Sequence, residues 1–308
     1  MCAWGVDQMV IKILTSLILF FLLSNISFAC SFNCGSVSSD KYSIIIKPPA
    51  HTGFKKHSFP NGPVKKHSFS YIKDASNARA GKAFQRFELR DGDCFPDRSG
   101  RWNDCKMNRE RFEFHSKPRQ KPIGKQCYGY SIKLDKNFRS LNPTNTDIGQ
   151  VHQQGGPKGT AGGLKSFPPI IQIGAKYNVV YFGWHKLSGD PKKVIAKRID
   201  HSLAKISDMR NVWTDISFCL DFKNKRIDAW VNGKKKVEIL QSPIRFKPEK
   251  IYFKYGIYRS FISRFKDKIL KDPNGKMPTL IVYYNEIRRG NSIEEVDMSL
   301  NPNLKIVD

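Results

Sequence analysis

Three short segments combine proton-transfer groups with hydrogen-bond donors at the two-residue spacing that puts side chains on one face of a β-strand. In Ile148-Gly149-Gln150-Val151-His152-Gln153, the Gln150 amide and the His152 imidazole fall side by side. In Tyr252-Phe253-Lys254-Tyr255-Gly256-Ile257-Tyr258-Arg259, residues Tyr252, Lys254, Gly256 and Tyr258 share a face, with Gly256 leaving its floor open to a ligand. In Arg86-Phe87-Glu88-Leu89-Arg90 the charged residues point one way and Phe87 and Leu89 the other, and Arg109-Glu110-Arg111-Phe112-Glu113 echoes it. Imidazole titrates near neutrality, and guanidinium is a planar fork of donors matched to carboxylate oxygens. Such types suit acid–base work on a polar, anionic ligand. Each segment alone also has an ordinary structural reading, as cross-strand ion pairs, β-propensity of tyrosine or an incidental Gln-x-His.

The elements that must carry these segments are strands. Short β-type runs separated by turn signals occupy residues 83–89, 111–115, 128–134, 148–153, 169–173, 177–184, 213–222, 225–231, 251–258 and 280–287. Asn232-Gly233 after the alternating run Arg226-Ile227-Asp228-Ala229-Trp230-Val231 predicts a hairpin turn, because both residues tolerate positive φ. Helical periodicity is weak and no βαβ alternation occurs, which excludes a doubly wound sheet. The expectation is an all-β sandwich or jelly roll in one domain. Residues 30–66 read as a polar N-terminal segment, 67–292 as the β domain and 293–308 as a polar C-terminal tail. The pentapeptide Lys55-Lys56-His57-Ser58-Phe59 recurs as Lys65-Lys66-His67-Ser68-Phe69, a local duplication rather than a solenoid. The Lys-rich run 265–277 reads as an insertion-like loop.

The charge narrows the ligand. Among 308 residues, Lys+Arg 53 against Asp+Glu 27 gives +26, which implies a polyanionic partner or, on a blander account, biased codon usage. Aromatics at 12% exclude a disordered polymer. Residues 11–23 are apolar and end in Ser27-Phe28-Ala29, so residues 1–29 are expected to be a secretory signal peptide, with a lipoprotein cysteine at Cys30 or an uncleaved anchor as rivals. Export leaves Cys30, Cys34, Cys94, Cys105, Cys127 and Cys219 in an oxidising space, an even set that suggests disulfides. Cys94 and Cys105 flank a Pro/Gly/Asp-rich turn and are the favoured pair. No CxxC pair or His doublet supports zinc. An exported basic chain without a nucleic-acid module points to polysaccharide rather than nucleic acid.

The three segments together resemble the motif blocks of jelly-roll polysaccharide lyases. Arg-x-Glu, Gln150-Val151-His152 and Tyr252-Phe253-Lys254-Tyr255-Gly256-Ile257-Tyr258 are similar to the alginate lyase blocks. The run from Arg86 through Gly92-Asp93-Cys94 and Asp104-Cys105 to Arg111 resembles the heparin lyase I and glucuronan lyase group. So do Trp213-Thr214-Asp215, Trp230-Val231-Asn232-Gly233 and Tyr283-Tyr284-Asn285-Glu286. In Arg111-Phe112-Glu113-Phe114 a Phe stands where the alginate lyase pattern has Leu, and Tyr255 replaces its usual small residue. The resemblance implies a concanavalin-like sandwich of two antiparallel sheets with a concave substrate groove, and β-elimination at C4 of a uronic acid. His152 and Tyr258 then stand at the catalytic positions. Gln150 with Arg86 or Arg111 would bind the carboxylate, and Lys254, Tyr252 and Arg259 would bind substrate. Base and acid converging on one sugar would permit anti elimination, as in iduronate or guluronate, or syn elimination, as in glucuronate or mannuronate.

The expected protein is therefore a secreted or periplasmic lyase acting on a heparin- or heparan-sulfate-type or glucuronan-type polymer. It needs no cofactor, although a structural calcium ion at carboxylates such as Asp215, Asp221 and Glu286 stays open. Its partner is the anionic polysaccharide, with no nucleic acid, no membrane span after signal removal and a monomeric state. A non-catalytic carbohydrate-binding jelly roll is the main alternative. A glycoside hydrolase would need paired carboxylates that the strands lack.

Overall fold

The structure is a computed structural model that describes residues 34–36, 56–61, 65–94, 103–155, 167–191 and 193–307, with backbone alone for the first two stretches and Lys117. The expected signal segment, Cys30 and most of the polar stretch 30–66 lie outside the described residues. The strands in chain order are β1 (Cys34–Ser36), β2 (Lys56–Asn61), β3 (Phe69–Lys73), β4 (Ala83–Leu89), β5 (Arg109–Lys117), β6 (Lys125–Leu134), β7 (Asn145–Gln154) and β8 (Ile171–Lys176). They continue as β9 (Val179–Asp190), β10 (Lys193–Lys205), β11 (Thr214–Asp221), β12 (Arg226–Val231), β13 (Lys234–Ile239), β14 (Lys250–Ser260) and β15 (Leu280–Gly290). Two antiparallel sheets form a jelly-roll sandwich, with orders β1-β3-β4-β15-β6-β11-β12-β13 and β10-β9-β8-β7-β14-β5-β2.

Alternation along the strands builds the core. On β14 the side chains of Ile251, Phe253, Tyr255 and Ile257 are at most 1% exposed and face the other sheet, which turns Tyr252, Lys254 and Tyr258 to the opposite face. Phe87 of β4 meets Phe114, Tyr255 and Tyr284 edge-on, with centroids 5.1–5.6 Å apart, the arrangement the aromatic quadrupole favours. The Asn232-Gly233 turn forms as expected, with φ of 48° and 72°.

Among the described residues, two disulfides brace the sandwich. Cys94–Cys105 joins the turn after β4 to the start of β5. Cys127–Cys219 links directly opposed residues of β6 and β11, with Cα atoms 4.1 Å apart, and closes a separation of 92 residues. Spacing in the sequence carries no trace of this second pair, because its partners meet only when β6 and β11 come into register.

The C-terminal stretch differs from its reading as a polar tail. Ile293 and Val296 pack against the Cys127–Cys219 bridge and Trp230. Asp297 is 1% exposed and accepts a hydrogen bond from Ser217, while Arg288 donates to the Lys305 carbonyl at 2.7 Å. Its few apolar residues follow no strand or helix period, so hydropathy does not reveal the packing. The run 265–277 likewise folds into a short helical turn, Ser263–Phe265 and Lys266–Leu270, tied to Asp91 by Lys266 and the Met277 amide. Strand β10, not expected from its mixed Lys/Ile/His pattern, extends the seven-stranded sheet beside β9.

Candidate active site

Three adjacent strands, β5, β14 and β7, bring the chemical groups onto the outward face of the seven-stranded sheet. Register places His115 opposite Lys254, Lys254 opposite Gln150, and Gln150 opposite Gln172 of β8, a continuous polar row across four strands. One pleat along, Tyr252 lies opposite His152. At the other end, Arg111 lies opposite Tyr258, and Tyr258 opposite Asp147. Asp147 and Gln150 are three residues apart and would face opposite ways in a regular strand. Bulges beside Ile148, on both ladders of β7, turn Ile148 into the core and both polar residues outward. Gly256 serves this geometry rather than an open floor. Its φ is +123°, and a Cβ there would stand 2.4 Å from the Phe112 carbonyl oxygen.

Beside the row, on β5 opposite Gly256, Glu113 gathers its hydrogen bonds. It is 2% exposed and accepts hydrogen bonds from Lys254 Nζ at 2.6 Å, from Gln150 Nε2 at 2.5 Å and from Arg111 Nη1 at 3.4 Å. Burial alone would raise its carboxyl, but the Lys254 and Arg111 charges outweigh it and hold Glu113 below the usual carboxylate range. The Arg111 fork is filled by Asp104, through two bonds of 2.6 Å. Sequence reasoning passed over Glu113 as a site residue, although Arg111-Phe112-Glu113 carries the signal: two-residue spacing puts the acid on the face of its arginine.

The acid–base groups flank this floor. The half-buried His152 imidazole stacks on Tyr252 with centroids 5.5 Å apart, and burial followed by the Lys254 ammonium pushes it down to about 4. At neutral pH it is therefore an unprotonated base. Tyr258 is 7% exposed and lies under the Arg111 guanidinium, 4.4 Å from its ring centre, and its hydroxyl accepts from Arg109 at 2.8 Å. Burial raises this phenol against the pull of both arginines. His152 and Tyr258 share a face without adjoining: Tyr258 is six residues beyond Tyr252 on β14, about 20 Å if fully extended and less across the bulge. The phenol in contact with the imidazole is Tyr252. Beyond Tyr258, Asp147 accepts from Gln172 at 2.8 Å and Tyr181 at 3.3 Å, and burial lifts it to about 7 despite Arg198.

Two expected substrate-binding arginines stand elsewhere. Arg86 lies on β4 in the other sheet, where Phe87 faces the core and Arg86 the outer surface, paired with Glu88. Arg259 follows Tyr258 by one residue and so points to the opposite side, fully buried against Glu110 and the Pro278 carbonyl. Strand parity removes both from the outward face of the seven-stranded sheet, leaving Arg111 as the arginine of the original pair beside Gln150. The carboxylates considered for calcium are engaged by protein donors, Asp215 by Arg79, Ser131 and Ser299, Asp221 by Asn224, and Glu286 by Arg288. Among the described residues no cluster of His, Cys, Asp and Glu is suited to a metal ion.

A family model described as polysaccharide lyase matches residues 51–288. The chain belongs to the polysaccharide lyase family. The crystal structure of an endo-β-1,4-glucuronan lyase from the fungus Trichoderma reesei superposes with a TM-score of 0.55 at 15% identity, covering 81% of this chain and 95% of that one. Alginate lyase A1-II′ aligns at 12% identity with a TM-score of 0.46, covering 75% and 86%, and alginate lyase AlyC3 at 12% with 0.45, covering 71% and 77%. At such identity the glucuronan lyase likeness is one of fold. No curated protein sequence matches this chain. The protein is thus a polysaccharide lyase on a jelly-roll sandwich, and its polar row, neutral imidazole and buried phenol lie within the matched residues.

Proposed function

We propose that this lyase cleaves a uronic-acid-containing anionic polysaccharide by β-elimination, with heparin- or heparan-sulfate-type and glucuronan-type polymers as the substrate classes. The observation that carries the reading is an unprotonated imidazole flanking a buried Gln150–Glu113–Lys254 floor, with an arginine-capped phenol on the same face. His152 takes the C5 proton. The electron pair left on C5 forms the C4–C5 double bond as the C4–O bond breaks, and Tyr258 gives its proton to the departing oxygen. Gln150 spends one amide proton on Glu113 and keeps the second for the substrate carboxyl, where charge gathers in the transition state. A separate base and acid serve either an anti or a syn elimination. Each role has a protein group, so the reaction is proposed to need no cofactor, and chelation should leave turnover unchanged.

The apolar segment 11–23 and the two disulfides support an exported, secreted or periplasmic protein. Among the described residues no helix is long and apolar enough to cross a membrane. The net charge of +26 supports a densely anionic polymer. The test is a panel of heparin, heparan sulfate, glucuronan, alginate and hyaluronan, followed by the ultraviolet absorbance of unsaturated uronate. Product from at least one polymer, lost in His152→Ala and Tyr258→Phe, is the expected result. Polymer binding without any such product would make the protein a carbohydrate-binding module.

A further inference from the structure

The floor of the site is electrically spent. Lys254 lies opposite Gln150 and Arg111 shares Glu113 with it, and Glu113 and Asp104 already take both cations up at hydrogen-bond distance. On the far strands Arg198 is closed by Asp200 at 2.8 Å, and at the Tyr258 end Arg109 is held by the phenol oxygen. An anionic sugar arriving over His152 therefore needs a cation that has no carboxylate of its own. Such a group stands beside the imidazole. Arg119 lies just past β5, where the backbone still pairs with β14 through Gln120 and Ile251. Its guanidinium sits 4.6 Å from the Tyr252 ring centre, and Tyr252 in turn stacks on His152. Its other contact is the neutral side-chain oxygen of Gln154, and among the described residues no carboxylate pairs with it.

Resting on the lyase reading above, we propose that Arg119 is a substrate-binding residue that holds an anionic group, carboxylate or sulfate, on the sugar neighbouring the one at His152. Stacking on Tyr252 orients the fork before substrate arrives. Gln154 occupies one Nη1 proton, leaving the remaining donors of a half-exposed guanidinium for a bidentate anion. The two ring spacings place this cation within a sugar or two of the base, so it reads the next unit of the polymer rather than the reacting one. Its grip is uniform binding, made equally in ground and transition states, and belongs in KM rather than kcat.

The test compares the full-length enzyme with Arg119→Ala and Arg119→Lys on an unsulfated polyuronate and on heparan sulfate. Equilibrium binding of the same polymers is measured in a His152→Ala background. Arg119→Ala should raise KM about tenfold, the loss of one charge-assisted hydrogen-bonded contact, with kcat held within about twofold. Polymer affinity should fall by a similar factor, and Arg119→Lys should recover part of both. A defect on the unsulfated polymer assigns the contact to a carboxylate, and a defect confined to heparan sulfate assigns it to a sulfate. Unchanged binding with a depressed kcat would overturn the proposal, showing that Arg119 only props Tyr252 and His152. If wild-type enzyme yields no unsaturated product from any polymer, the lyase reading fails by itself, while the binding comparison still decides whether Arg119 holds an anion.

Discussion

The same local motif occurs on both sheets and does different work. Arg86-Phe87-Glu88 on β4 and Arg111-Phe112-Glu113 on β5 each turn the phenylalanine into the core and both charges outward. On β4, Glu88 sits between Arg86 and Arg90, whose side chains are 21% and 53% exposed, so both cations remain in reach of water. On β5, Glu113 is joined by Lys254 at 3% and Arg111 at 9%, and β7, one strand beyond β14, adds Gln150. The difference comes from the strands alongside. β4 is flanked by β3 and β15, which present Ser70 and Tyr283 in register with Arg86, whereas β5 adjoins β14 with its lysine and phenol. A motif becomes a site where adjacent strands bury its partners.

The contrast is sharpened most by the acid–base pair. His152→Ala and Tyr258→Phe should each cost about 10²–10⁴ in kcat while the fold holds, and Arg86→Ala should leave kcat unchanged; thermal melts alongside initial rates check both. Tyr252→Phe keeps the stack on His152 and should cost far less than Tyr258→Phe. The opposite ranking would give the acid's role to Tyr252.

Breaking the two acids comes next. Glu113→Gln leaves Lys254 buried without its counter-charge and should destabilise by about 3–5 kcal/mol, whereas Glu88→Gln, with cations open to solvent, should cost about 1 kcal/mol or less. Equal losses in urea unfolding would remove the distinction between the two motifs. Replacing Cys127 and Cys219 together by alanine should cost about 2–5 kcal/mol on chain-entropy grounds, without altering the seven-stranded face.

The smallest effect is on pH. His152 and His185 are both pushed down to about 4, chiefly by burial. The unfolded chain binds these protons more readily, so their contribution to stability is full above about 6.5 and fades as pH falls through 4. Asp147, raised to about 7, acts with the opposite sign: the folded form holds its proton, and stability is lost as pH rises from about 3.8 toward 7. Asp147→Asn should therefore make stability rise more steeply between pH 4 and 7. The acidic limb of kcat/KM should bend near pH 4 rather than in the ordinary histidine range. A limb near 6.5 would show that the imidazole is solvated in the free enzyme.

Much of the fold was legible because the strands alternate, apart from bulges such as those beside Ile148. Ile251, Phe253, Tyr255 and Ile257 announce both the core face of β14 and, by parity, the outward set of Tyr252, Lys254 and Tyr258. Gln150 and His152 were legible for the same reason. Arg259 was misplaced even though parity argues against it, because an arginine after a functional tyrosine reads as one more cation. The packed C-terminal segment and the Cys127–Cys219 bridge escaped because neither leaves a periodic signal.

What the sequence determined by itself is which residues share a face, since a pleat of period two is a local property of each strand. Only the tertiary structure decided which strands stand side by side. That choice separates Arg86 from the site, surrounds Glu113 with Lys254 and Gln150, sets Tyr252 rather than Tyr258 against His152, and leaves Arg119 without an acid among the described residues. Pairing and burial are long-range, and they set the charge and protonation of each group that local spacing can only name.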